Sequence, residues 1–285
     1  MGEAILPLVS VYISTHNRLE KLKRAINSVL VQDYPRIEII ICDDGSSDGT
    51  REYMQQLVLD IQNIRYKRNE SPRGACDARN LGIFSAEGEF ITGLDDDDEF
   101  HSSRVSKLLE SWNDEYAFIC SNFVDKYASG SEKRHYRGGG SVITSRDLLL
   151  DNLASNQVFT KTKYLRSIGG FDTTVKRLQD WDTWLRLSIH HGQGLRLSDP
   201  LYIMHHDDLD KNRVSRSVTF SAALDSLFQR NREHYDMDSV YLLQSKIRLI
   251  QQRYTLLDMV KNCWIKKSIK PVFQFAAQKF KNIDA

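Results

Sequence analysis

Nine alternating segments at the start of this chain restrict its fold more than any other feature. Apolar runs of strand character at residues 9–14, 37–43, 64–68, 89–94 and 117–123 are separated by helix-like segments at 19–32, 49–62, 76–86 and 103–112. Repeated units of this length predict an α/β fold, with a mostly parallel sheet covered by helices on both faces. In open sheets of that kind ligands bind outside the carboxyl ends of the strands. Three polar clusters fall there: Thr15-His16-Asn17-Arg18, Asp43-Asp44-Gly45-Ser46, and the consecutive carboxylates Asp95, Asp96, Asp97 and Asp98.

Carboxylates at that spacing repel one another, and a hard divalent ion such as Mn²⁺ or Mg²⁺ relieves the repulsion while leaving coordination positions for phosphate oxygens. A solvated acidic loop is the plainer account. An EF-hand fails on spacing, because Phe100 stands where its loop needs glycine and Ser106 where it needs glutamate. Asp43 and Asp44 end the second strand, a position from which a carboxylate meets the ribose or base of a nucleotide. Arg18, Arg73 and Arg79 lie in or near loops after strands, placed either to neutralise a diphosphate or to form surface ion pairs. Neither GxGxxG after a strand nor GxxxxGK[ST] occurs.

A competing motif shares the second cluster. Gly45-Ser46-Ser47-Asp48-Gly49 matches GxSxG between a strand and a helix, which would make Ser47 the nucleophile of a serine hydrolase. Asp43 and Asp44 beside it would repel an oxyanion, and that reading leaves the aspartate run unexplained.

An apolar content of 41% supports a sizeable core, and a net charge of +1 offers no whole-chain case for nucleic acid. No apolar run approaches the roughly 20 residues that span a bilayer. Residues 1–8 do not read as a secretory signal, and Cys42, Cys76, Cys120 and Cys263 are too widely spaced for a disulfide framework, so a cytoplasmic setting is expected. Residues 126–145 are polar and glycine-rich and read as an excursion near the crevice. A helix opening at Asp180 offers that carboxylate as an N-cap or as a general base, with Trp181 and Trp184 available to stack on a sugar. The last strand ends at His205-His206, where a histidine suits a metal shell of mixed ligands.

Beyond it the pattern is helical, dividing the chain into residues 1–210 and a region 211–285. Leu243, Ile247, Ile250, Tyr254, Leu257 and Trp264 form a stripe that packs on the domain or on the second subunit of a homodimer. Residues 261–285 mix lysines with aromatics, as a peripheral contact with an anionic membrane does and as a solvated terminal helix also does.

Taken together, Pro7 to Arg18, Cys42 to Thr50, Ala78-Arg79-Asn80-Leu81-Gly82 and Gly93 to Asp98 resemble the family 2 glycosyltransferases of GT-A fold, over about the first two hundred residues. The resemblance implies an enzyme that moves a hexose or N-acetylhexosamine from a UDP-sugar. It implies that Thr15, Arg18 and Asp44 meet the nucleobase end of the donor. Asp95, Asp96 and Asp97 correspond to the family's DxD, with Asp97 the direct metal ligand. Asp180 corresponds to the catalytic base, Gln179 standing where the family usually has glutamate, and one displacement inverts the anomeric centre. His206 matches a metal ligand, and Arg213 or Ser215 a phosphate contact. The implied acceptor is a saccharide, extended on a lipid diphosphate at the inner face of the membrane during assembly of O-antigen, lipopolysaccharide or capsule repeats. A non-catalytic sugar-nucleotide binding module is the remaining alternative.

Overall fold

A computed structural model of the protein describes residues 6–136, 138–206 and 219–281. The strands and helices of the first half alternate as the apolar runs require: β1 (Val9–Thr15), α1 (Leu19–Leu30), β2 (Ile37–Asp43), α2 (Thr50–Asp60), β3 (Ile64–Arg68), α3 (Ala75–Ser85) and β4 (Phe90–Asp95). There follow β5 (Glu99–Phe100), α4 (Arg104–Glu110), β6 (Phe118–Tyr127), β7 (Glu132–Arg134), β8 (Ser141–Ile143), α5 (Ser145–Leu148), β9 (Phe159–Lys161), α6 (Thr162–Ser167), α7 (Gln179–His191) and β10 (Gly194–His206).

These elements build one sheet in the order β3-β2-β1-β4-β9-β6-β10-β5, with β7 on β6 and β8 on β10. β1 runs parallel to β2 and β4, β2 parallel to β3, and β10 parallel to β6. Ser14 pairs with Cys42 on one side and Asp95 on the other, and Thr15 pairs with Asp43, so three neighbouring strands end at one level. That register is what brings the three polar clusters together. β1 and β2 are buried on both faces, as near-continuous apolar runs in parallel strands should be. Val9, Val11, Ile13, Ile39 and Ile41 share a core with Leu22, Ile26 and Val29 of α1. On the other face α3 lies close to the sheet because Gly82 has no side chain: a Cβ there would meet Tyr12 Cβ at 2.5 Å and Cys42 Sγ at 2.8 Å.

Three features depart from the expectation. β9 is a three-residue antiparallel insertion between β4 and β6, too short to carry a period that a sequence reveals. β10 begins at Gly194, not at residue 201, and its pairing with β6 shifts register around Pro200, which has no N–H to donate. The glycine-rich stretch 126–145 contains β7 and β8, which pair with β6 and β10.

The chain divides into two compact units. The first holds Met1–Leu148, Asn152–Val175 and Gln179–Arg213; the second holds Leu149–Asp151, Lys176–Leu178 and Val214–Ala285. The expected boundary at residues 210 and 211 falls outside the described residues. The second unit is built from α8 (Phe220–Arg230), α9 (Met237–Ile250), α10 (Leu256–Lys266) and α11 (Lys270–Lys281). Thr219 and Asp236 cap α8 and α9, and a Thr255/Asp258 capping box starts α10. Leu243 of the expected stripe is buried, whereas Leu257 and Trp264 face outward.

Candidate active site

The four aspartates alternate in environment. Asp96 and Asp98 turn inward: Thr15 Oγ1 donates to Asp96 Oδ2 at 2.8 Å, while Tyr202 Oη and the His205 N–H donate to Asp98 at 2.8 and 2.9 Å. Asp95 and Asp97 keep 18% and 33% of their side chains exposed, the only two of the run with substantial access to a ligand. Arg18 Nη1 bridges Asp96 Oδ1 and Asp97 Oδ2, both at 3.1 Å. Burial and then repulsion from Asp95 raise the Asp97 carboxyl above its usual range, with Arg18 and Lys21 opposing. Burial likewise pushes Asp96 up to about 6, Asp97 adding to the rise and Arg18 resisting it. Asp98 is raised well above the ordinary value, by burial and then by Asp95 and Asp97.

Arg79 links this run to α7. Its Nη2 donates to Asp95 Oδ1 at 3.2 Å and its Nη1 donates to Gln179 Oε1 at 3.0 Å. The same Nη1 lies 3.5 Å from Asp180 Oδ1, and the guanidinium sits 5.1 Å from the centre of the Phe171 ring. Asp180 Oδ1 is buried and accepts no hydrogen bond among the described residues, although a quarter of the side chain, 25%, remains exposed. Burial raises the Asp180 carboxyl to about 6; Asp95 adds to the rise and Arg79 opposes it. A carboxylate that keeps part of its side chain open and is raised to about 6 is equipped to accept a proton.

The second cluster serves the scaffold. Asp43 has no exposed surface: Tyr66 Oη donates to its Oδ2 at 2.5 Å, Arg68 Nε at 3.2 Å, and the Ser46 N–H to its Oδ1 at 2.8 Å. Its expected contact with a nucleotide is thereby corrected, because both oxygens are enclosed and taken. Asp44, also buried, accepts from the backbone N–H groups of Arg73 and Gly74 at 2.8 and 2.7 Å and from Asn69 Nδ2 at 2.8 Å. It thus holds the loop that carries Arg73, whose side chain is exposed and paired with Asp77 at 3.2 Å.

Further expectations are overturned. Trp181 and Trp184 are fully buried, with indole N–H groups donating to Leu148 O at 2.5 Å and Ser155 O at 3.1 Å, so neither ring is available to stack on a sugar. His206 does not join Asp95 and Asp97: its Nε2 lies 2.7 Å from Asp125 Oδ1 and its ring stacks on Tyr127. Among the described residues no three His, Cys, Asp or Glu side chains are gathered as a ready metal cage. The donor set at Asp95 and Asp97 still has the chemistry for a hard divalent ion, since it is all oxygen, partly open and electrostatically crowded. Arg213 and Ser215 lie outside the described residues.

Ser47 has no base. Its hydroxyl approaches Asn17 Oδ1 at 3.4 Å, an amide oxygen that does not take up a proton at neutral pH, while His16 Nδ1 is engaged 2.8 Å from Asp44 O. Gln157 was not foreseen: its Nε2 donates to Asp95 Oδ1 at 3.0 Å, and Tyr12 Oη donates to its Oε1 at 3.0 Å. A lone polar residue ahead of a three-residue strand gives no sequence signal. Arg104 was also missed; it is buried between the Phe100 and Tyr202 rings and donates to Ser121 Oγ at 2.7 Å.

The fold is that of solved GT-A glycosyltransferases. TarS of S. aureus, solved in complex with UDP-GlcNAc, aligns with a TM-score of 0.65 at 16% identity, over 95% of this chain and 79% of that one. The mannosyltransferase PcManGT from Pyrobaculum calidifontis, in complex with GDP-Man and Mn²⁺, aligns with a TM-score of 0.58 at 15% identity, over 95% of this chain and 74% of the other. Residues 10–169 match the model of glycosyl transferase family 2. WcaA of Escherichia coli K12, named as a colanic acid biosynthesis glycosyl transferase, is 33% identical over 89% of this chain and 94% of its own length. The Campylobacter jejuni GalNAc(5)-diNAcBac-PP-undecaprenol β-1,3-glucosyltransferase is 36% identical over 55% of this chain and 53% of its own. The chain belongs to glycosyl transferase family 2.

Proposed function

We propose that the protein is an inverting hexosyltransferase that moves a hexose or N-acetylhexosamine from a UDP-sugar to a hydroxyl of a growing, lipid-diphosphate-linked saccharide in bacterial polysaccharide assembly. The observation that carries it is Asp180, a quarter-exposed carboxyl raised to about 6 and ion-paired through Oδ1 with Arg79, which links it to the aspartate run. In this reading Asp180 takes the proton from the acceptor hydroxyl while the oxygen attacks the anomeric carbon on the face opposite the diphosphate. The bond from that carbon to the diphosphate oxygen breaks, and its electron pair leaves with UDP. One displacement inverts the configuration.

Arg79 keeps Asp180 ionised, Asp95 and Gln179 accept its hydrogen bonds and hold it in place, and Gln157 in turn donates to Asp95. Asp97 with Asp95 would hold Mn²⁺ or Mg²⁺, which when bound neutralises the departing diphosphate. Arg18 and the exposed Arg73 supply further positive charge near the strand ends. The UDP preference is supported by TarS, and a lipid-linked acceptor by the C. jejuni relative. Release of UDP, assayed over a panel of UDP-, GDP- and dTDP-sugars with extracted lipid-linked saccharides, tests the proposal. Turnover with a UDP-sugar that disappears in Asp180→Asn supports it; donor binding without turnover under any condition would instead indicate a sugar-nucleotide binding module.

A further inference from the structure

The helix α10 presents a face that a water-soluble surface does not explain. Leu257, Val260 and Trp264 recur at steps of three and four, and Trp264 is 83% and Leu257 72% exposed. Beyond the turn at Lys267, exposed Ile269 just ahead of α11 and exposed Phe273 near its start add to this face. Apolar side chains of this size, close together along one helix and at the start of the next, mark an interaction surface.

Charge selects the occupant. Between Leu256 and Lys281 the sequence holds six lysines and a single acid, Asp258. That acid is buried beneath α10, where Arg248, Tyr241 and the Thr255 hydroxyl and N–H all donate to it. It therefore offsets none of the outward charge. Lys266, Lys267 and Lys270 are exposed around the Trp264 turn. A two-fold interface between copies of this chain would set that lysine group against itself, whereas an anionic lipid surface neutralises it.

We propose that the Trp264 face of α10 seats on an anionic lipid bilayer, with Leu257, Val260 and Trp264 at the headgroup boundary and the lysines among the phosphates. The contact is peripheral, since no described helix is long and apolar enough to cross a membrane. It stands apart from the transferase reading, because the test requires neither donor nor acceptor.

The full chain is sedimented with phosphatidylglycerol/phosphatidylcholine vesicles and with phosphatidylcholine vesicles alone. The expected result is strong partition onto the first only, weakened by salt, with a blue shift of tryptophan emission. Leu257→Ser with Trp264→Ser should lower partition about tenfold or more, and Lys266→Gln, Lys267→Gln and Lys270→Gln together should do likewise. Both sets change exposed side chains, so circular dichroism and Tm should stay those of the parent. Equal partition onto both vesicle types, or unaltered partition of the serine variant, overturns the proposal. So does loss of a dimer by sedimentation velocity in the serine variant when the parent ignores vesicles, which would assign the face to a second copy of the chain.

Discussion

Arg79 Nη1 stands 3.5 Å from Asp180 Oδ1 while Arg79 Nη2 donates to Asp95 at 3.2 Å, so one guanidinium on α3 ties the start of α7 to the end of β4. The aspartate expected to remove a proton and an aspartate expected to face the metal therefore share one counter-charge. Changing either end of that link should be felt at the other.

Replacing Asp180 by Asn removes the base and keeps the shape. Turnover should fall by about 10² to 10⁴, with the thermal stabilisation by UDP largely retained. A turnover within about tenfold of the parent would assign proton removal elsewhere.

The pH dependence follows from the raised carboxyl. Asp180 must be ionised to act, so kcat should be low in acid, rise with pH through about 6 and then level off. Arg79→Gln removes the charge that opposes the rise, so this acid limb should move to higher pH. A limb that stays in place in the Arg79 variant would show that the titrating group lies outside this pair.

Asp97 and Ser47 separate transfer from hydrolysis. EDTA, or Asp97→Asn, should abolish UDP-dependent stabilisation in a thermal-shift titration, and Ser47→Ala should leave turnover within about twofold, since a surface change of this kind is nearly neutral. The opposite pattern, loss in Ser47→Ala and indifference to EDTA, would restore the GxSxG motif as the working site.

The buried position of Trp184 predicts a stability effect. Trp184→Ala should cost about 3–5 kcal/mol in urea unfolding, the range for emptying a large aromatic site in a core. Trp184→Phe should be milder and leave the acceptor KM unchanged. A raised acceptor KM at parental stability would contradict the core assignment and return the ring to the sugar.

Much of the first unit was legible because its signals are local. Apolar runs such as Val9–Thr15 and Ile37–Asp43 carry their strand character in consecutive residues, and polar clusters directly after them mark strand ends. The residues of the crevice were nameable for the same reason. What their side chains do there was not. Asp43 and Asp44 look alike in sequence, yet Asp43 is sealed by Tyr66 and Arg68 while Asp44 holds the Arg73 loop.

The alternation, the strand ends and the identity of the charged groups are local properties, each set by residues within a few positions of each other. Which oxygens stay open depends on long-range packing. Asp180 meets Arg79 across about a hundred residues, Gln157 reaches Asp95 from just ahead of a strand too short to see, and Trp181 and Trp184 turn inward, where their indole N–H groups find backbone carbonyls. Such pairings are set by how helices pack on a sheet, and no local pattern encodes them.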